Sequence, residues 1–353
     1  MRVVSRARMY GMRGVGAFAA LAVLSAAGCS SVVGGQSDQA AAATVVQYNS
    51  PDEWANFKDI RAAFAKESGI TVPNDVKNSG QTLSALAEQK SHPQADVAYW
   101  GSTFGVAADK QGLVEPYAPA GSDEVPADLK AADHSWTVAH YGVVAMLVNK
   151  KALGGLPTPR SWDDLLKPEY KDKVFYADPG KAAIGYYTAT AVNMAKGGSA
   201  TDWQPALDYF AKLKANGAQA PVNTTPAKAG SGEYPILIDA DFNGYAQKYN
   251  QNADLDVVIP SDGTVKVSYA VSLVKNGPNP EGAKKWMDFL LSDAGQQLFA
   301  EFYVHPVRGS MPEAIASRMA PESEYQAART VDITELAAAQ DGFVKAYTAA
   351  VSG

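Results

Sequence analysis

The chain has 353 residues, with 31 basic side chains against 37 acidic ones and a formal net charge of −6. That balance argues against nucleic acid as a partner, which needs a basic footprint. An apolar fraction of 46% supports one large or two medium cores, and the single cysteine leaves no partner for an internal disulfide, so those cores must hold by packing.

Taken in chain order, Arg2, Arg6, Arg8 and Arg13 precede an apolar run over 14–24, and Ser25-Ala26-Ala27-Gly28 leads into Cys29. A charged region, a short apolar region and small residues at the cut are the layout of a secretory signal. The run falls short of the roughly 20 apolar residues a helical membrane span needs. A cysteine directly after Ala-Ala-Gly resembles a bacterial lipobox, with Ala26 standing where leucine is usual. The expectation is a lipoprotein signal peptide over 1–28, lipid on Cys29, and an exported protein anchored at the outer face of the membrane. Residues 29–43, rich in Ser, Gly, Gln and Ala with no apolar period, read as a flexible tether.

Ordered sequence begins with the β-branched stretch 44–48. Ser50 and Glu53 spell a capping box with Pro51 at the first helical position. Trp54, Phe57, Ile60 and Phe64 then recur at helical spacing as far as Gly69. Residues 70–72 are strand-like, and a helix with Leu83 and Leu86 follows Ser79-Gly80. A third strand over 96–100 ends in Gly101-Ser102-Thr103 before a helix over 104–110, and extended apolar stretches occupy 136–140 and 143–149. A second α/β region has a strand over 174–178, a turn at Pro179-Gly180-Lys181 and helices over 182–195 and 202–215. It continues with a buried strand over 235–239, a helix over 242–249 and strands over 257–260 and 268–274. Pro280 opens a helix carrying Ala283, Trp286, Phe289 and Leu290, Ser292 caps the next, and the chain beyond Arg308 is Ala-rich and helical. Strands alternating with helices predict an α/β fold with parallel sheet.

At this point the chain resembles a known family. Ala95-Asp96-Val97 running into an aromatic, and the block from Ser272-Leu273-Val274-Lys275 through Trp286-Met287-Asp288-Phe289 to Ser292, are similar to extracellular solute-binding proteins of ABC importers. The branch is the one that includes ferric-iron, polyamine-like and 2-aminoethylphosphonate binders, and the resemblance covers residues 44–310. It implies a two-lobe periplasmic-binding-protein-like (type II) fold with two hinge-crossing β segments, near 141–147 and 269–274. Lobe one is expected from 44–142 plus 270–310, lobe two from 143–269, with further helices over 311–353. It implies a monomeric receptor without catalysis, cofactor or resident metal, whose partners are a small polar solute and the permease and ATPase subunits.

Candidate ligand residues sit where strands meet helices, the usual crevice of open α/β sheets. Asn49 and Ser50 follow the first strand, while Trp100, Ser102 and Thr103 end the third as a stacking ring and two donors. Lys181, before a helix that carries Tyr186, suits a phosphonate or carboxylate, and helix N-termini favour the same anionic groups. Asp239, Asp241 and Asn243 suit an ammonium group, and Tyr269 lies on the return crossing. The expected solute is therefore an amine-bearing compound with a phosphonate or carboxylate. In iron-binding relatives an adjacent tyrosine pair ligates the metal. Asp241-Phe242 falls there in this chain, a departure, while Tyr186-Tyr187 and Tyr269 keep a ferric-iron receptor as the alternative.

Enzyme signals are weak. His92, His134, His140 and His305 show no HxxxH or HExxH spacing, and no GxSxG, P-loop or GxGxxG occurs. Ser272-Leu273-Val274-Lys275 matches SxxK, but in a strand-like run without companion motifs. An extracytoplasmic lipoprotein hydrolase is the second alternative.

Overall fold

The computed structural model describes residues 43–352. The signal peptide, Cys29 and the tether apart from Ala43 lie outside the described residues. The strands are β1 (Gln47–Tyr48), β2 (Val97–Gly101), β3 (Val114–Glu115), β4 (Thr137–Asn149), β5 (Val174–Tyr176), β6 (Ile236–Ala240), β7 (Leu255–Val258), β8 (Lys266–Val274) and β9 (His305–Pro306). The helices are α1 (Phe57–Ser68), α2 (Ser79–Glu88), α3 (Ser102–Lys110), α4 (Lys150–Leu153), α5 (Ala183–Ala195), α6 (Gln204–Ala215) and α7 (Pro226–Ser231). They continue with α8 (Asp241–Tyr245), α9 (Pro280–Leu291), α10 (Asp293–Ala300), α11 (Glu313–Ala316), α12 (Glu322–Ala327) and α13 (Ile333–Tyr347). No helix among the described residues is long and apolar enough to cross a membrane.

The strands lie in the order β1-β2-β8-β4-β6-β5, with β3 on β8 and both β7 and β9 on β4. The expected parallel sheet is corrected: among the named strands only β1 with β2 and β5 with β6 run parallel. The central strands β4 and β8 are two long segments that return past one another, so their pairing is antiparallel. What sequence reads as two extended stretches is one strand of 13 residues, β4, with an irregularity between Val138 and His140. Its first part, through Val143, pairs with β8; from Val144 onward it pairs with β6 and β7. The sheet therefore has two portions that share β4.

Each portion has its own aromatic packing. Trp286 of α9 meets Phe64 of α1 edge-on at 5.0 Å, and Phe299 of α10 meets Phe57 at 6.0 Å. Around the other portion, Tyr176 lies 5.0 Å from Phe210, and Trp203 lies 4.4 Å from Phe343 of α13. α13 also packs on α3, and the Tyr186 hydroxyl donates to the Leu336 carbonyl at 2.7 Å. The last long helix is thus braced on both portions.

Two local expectations fail for visible reasons. The helix does not begin at Pro51, because Ala55 (φ 49°) and Asn56 (φ 64°) adopt left-handed backbone and delay it to Phe57. The Ser50 hydroxyl, free of a capping role, donates to the Pro73 carbonyl at 3.1 Å. Residues 70–72 form no named strand; only Thr71 bridges, to Thr44. By contrast α2 is capped more fully than expected. Asn78 Oδ1 accepts from Gln81 N while Gln81 Oε1 accepts from Asn78 N, both at 2.9 Å. Asn78→Ala should lower unfolding free energy by about 1 kcal/mol in a urea titration.

Candidate functional site

A cavity of about 490 Å³ opens between the segment 49–54 with 74–79 on one side and residues 177–184 with 223–226 on the other, floored by Tyr269. Its volume lies within the ~300–1,000 Å³ typical of small-molecule sites. A larger, more open polar groove of about 1270 Å³ runs beyond Asp52 and Glu53 along Asn149, Gln247 and Asp254. The smaller cavity alone gathers aromatic walls, unpaired donors and helix starts, so it is the candidate site.

Its anion-attracting end is the start of α5. Ala182 is the N-cap and supplies no side-chain bond, and the backbone N–H groups of Ala183 and Ile184 have no partner among the described residues. Such N–H groups, with the positive end of a 13-residue helix behind them, favour a negatively charged ligand group. Across the cavity stands the start of α2, where the buried Ser79 hydroxyl accepts from Gly101 N at 3.1 Å and keeps its own proton to donate. The one cation on the wall, Lys77, is held by Asp75 at 2.6 Å and lies 4.0 Å over the Tyr48 ring. Glu53 puts negative charge at the rim, where the Asp52 carboxylate is already paired with Arg61.

The other walls are aromatic. Tyr269 stacks on Tyr99 at 5.4 Å and on His140 at 5.3 Å, and Trp54 meets Tyr269 edge-on at 5.4 Å. Burial pushes the Tyr269 phenol above its ordinary pKa, helped by the nearby Tyr99 and Asp239, so it stays neutral and able to donate. Asn49, in left-handed backbone at φ 66°, spends its Nδ2 on the Tyr99 carbonyl at 2.9 Å and leaves Oδ1 without a protein partner. Over the cavity mouth, Asn78 Nδ2 donates to Asn223 Oδ1 at 2.7 Å, and Gly80 N donates to Lys181 O at 3.2 Å.

Of the residues expected from sequence, Asn49 and Tyr269 line this cavity. The others do not join them. Ser50 is buried on loop carbonyls, Trp100 is buried in the core, and Thr103 is fully buried. The Ser102 hydroxyl is 2.8 Å from that of Ser268, beneath the cavity. Lys181 is exposed in a separate groove beside α13, and Tyr186 points inward to Leu336. Asp241 accepts from Val143 N and from the Tyr325 hydroxyl, both at 2.9 Å, which occupies both oxygens. Asp239 accepts from Ala240 N at 2.7 Å and Asn243 Nδ2 at 3.1 Å, and its Oδ2, like Asn243 Oδ1, is buried without a partner among the described residues. Burial pushes the Asp239 carboxyl up to about 7, with those two bonds pulling the other way.

Sequence reading missed Trp54, Ser79 and the loop at 223–226. In the sequence Trp54 reads as part of a helix face, and only the left-handed pair after it reveals the turn. Ser79 was noted as a helix opening, and such a position is the one signal that could have raised it.

The bacterial extracellular solute-binding protein family matches residues 92–336, more than half of the chain. The chain belongs to this family. This solute-binding protein is 30% identical over 248 residues to an uncharacterized protein of Haemophilus influenzae, covering 67% of the chain and 69% of that protein. It is 27% identical over 275 residues to a putative 2-aminoethylphosphonate-binding periplasmic protein of Salmonella typhimurium, covering 76% of each. Among solved structures it is similar to the periplasmic binding protein AfuA from Actinobacillus pleuropneumoniae, solved with fructose-6-phosphate bound. That match has a TM-score of 0.74 at 21% identity, over 88% of this chain and 98% of the other. The fold is that of type II periplasmic binding proteins, and the protein is the solute-binding component of an ABC importer, which works with permease and ATPase subunits.

Proposed function

We propose that this solute-binding protein captures a small solute with an anionic phosphonate-like or carboxylate end and an amine. The observation that carries this reading is the pair of unpaired N–H groups at Ala183 and Ile184, open to a cavity with aromatic walls and an acidic rim. The anion is met by α5 and the Ser79 hydroxyl. The amine is met by the ring faces of Trp54 and Tyr269 and by Glu53, since Asp52 is paired with Arg61. Asp239 and Asp241, expected to hold the amine, are engaged inside the packing instead. A ferric site built on Tyr186 and Tyr187 is disfavoured, because both hydroxyls are buried on Leu336 and Ser268. The Salmonella relative named for 2-aminoethylphosphonate supports the same chemistry.

Lobe one is formed by 44–142 with 270–310 and lobe two by 143–269. The change of β4 partners between Val143 and Val144 supports that division. The segment 311–353 bridges both through α13. The lipobox-like sequence at Cys29 supports a receptor tethered by lipid at the outer face of the membrane. Only contacts made to both lobes can favour the closed form.

The test is native mass spectrometry of the purified protein for a retained small molecule, with thermal-shift titrations of 2-aminoethylphosphonate, phosphate, spermidine and ferric citrate. A rise in melting temperature with 2-aminoethylphosphonate and none with ferric citrate is expected. A response confined to ferric citrate would sink the reading.

A further inference from the structure

Behind the cavity wall, two buried side chains outside the cavity lining, Tyr99 and His140, hold the half-buried Trp54. The Trp54 indole Nε1–H donates to the Tyr99 hydroxyl oxygen at 2.8 Å, and that oxygen lies 2.6 Å from His140 Nε2. The indole nitrogen is only ever a donor. Tyr99 therefore accepts from Trp54 and has one proton left, for which His140 Nε2 is the acceptor within reach; we assign the bond in that direction. That nitrogen accepts, so His140 is neutral with its proton on Nδ1, and Nδ1 has no partner among the described residues. The rings packed on His140 are Tyr99, Tyr269, Phe242 and Phe299, none of them charged.

We infer that Tyr99 and His140 are positioning residues for ligand binding: they hold the Trp54 indole by its N–H, so that its carbon ring, and no hydrogen-bond donor, faces the solute. Two edge-on contacts, with Tyr269 and Phe242 at 5.4 Å each, fix the plane of the ring. The consequence is selectivity. A ring without a free donor offers nothing to phosphonate oxygens and everything to the carbon or ammonium part of the solute. Trp54 thereby sets which end of the ligand points toward the rim. The inference rests on the reading that this cavity holds the solute.

The test uses the full chain, with 2-aminoethylphosphonate and inorganic phosphate as calorimetric probes. Tyr99→Phe should weaken 2-aminoethylphosphonate about tenfold and phosphate by less than about threefold, since the α5 end is untouched. Exchange of the Trp54 indole N–H, assigned by its loss in Trp54→Phe, should speed up in Tyr99→Phe. His140→Gln keeps an acceptor and should stay near wild type in both readouts, whereas His140→Leu should behave like Tyr99→Phe. In the unmutated protein, nitrogen-15 spectra should show His140 protonated on Nδ1 and unchanged between about pH 5 and 8, because burial holds its pKa down at about 3. A proton on Nε2, equal losses for both probes, or His140→Gln as damaged as His140→Leu would each overturn the inference. If neither probe binds the unmutated protein, the ligand class proposed above is wrong, and the His140 tautomer and Trp54 exchange still decide this point.

Discussion

Gly101→Ala should weaken solute binding by about 10- to 100-fold while leaving the ligand-free protein folded. Gly101 ends β2 with φ −59° and ψ 139°, a backbone that alanine adopts without strain. Its amide bond to the Ser79 hydroxyl would survive the change. A methyl group there, however, would land far inside contact with the Ala183 methyl at the start of α5. Gly80 shows the same closeness, since a Cβ on it would sit 2.5 Å from the Lys181 carbonyl oxygen. On the lobe division proposed above, both glycines fall in lobe one and both obstacles in lobe two, so the added methyl would act as a wedge between them. Packed interiors resist such insertion by roughly 1–3 kcal/mol. Because the obstacle to Gly101 is a side chain, Gly101→Ala with Ala183→Gly should recover most of the affinity. Calorimetry on the single and double variants, with scattering of the ligand-free forms, checks this. Undiminished binding by Gly101→Ala, or a double variant no better than the single, would show that the lobes do not close at this point.

The second large effect concerns pH. With its pKa near 7, Asp239 keeps its proton in the native protein to a much higher pH than in the unfolded chain. Between about pH 4 and 7 the unfolded state therefore binds fewer protons, and this group makes stability fall as pH rises. His140 acts oppositely. Its native pKa of about 3 lies below the ordinary value of 6.5, so between those limits stability rises with pH. In the unmutated protein the two trends offset one another. Asp239→Asn removes one of them and replaces an unpaired buried anion with a neutral amide of the same shape. The variant should match wild type near pH 4 and exceed it by on the order of 4 kcal/mol at pH 8. Urea titrations at several pH values give the difference directly. A difference that does not change with pH would mean that Asp239 is ionised throughout.

Those two cases also show what a sequence can and cannot disclose. The strand ending at Gly101, the helix after Gly180-Lys181 and the block around Trp286 were legible, because apolar period and turn residues encode them locally. Which side of a strand faces the cavity was not. Tyr99 and Trp100 are neighbours in sequence, yet one lies under Tyr269 and the other faces away, since side chains alternate and register is set by distant partners. An acid at a strand-to-helix junction reads the same whether it meets solvent, ligand or packing. Asp239 and Asp241 read as cleft residues in the sequence, whereas in the structure their carboxylates are engaged by neighbouring backbone and side chains. Trp54 escaped because two consecutive left-handed residues, Ala55 and Asn56, are not something composition announces.

The order of strands across the sheet carries a last consequence, for how the polypeptide matures. β8 lies between β2 and β4, yet in the chain it comes after β5, β6 and β7. A nascent chain emerging from its N-terminus can bring β4, β5, β6 and β7 together before residue 266 exists, whereas β1 and β2 wait with one edge bare. The sheet portion with β1 and β2, made first, is thus finished last, and α13 cannot brace both portions until the final residues arrive. Premature truncation anywhere before β8 should leave that bare edge as the sticky part of the molecule.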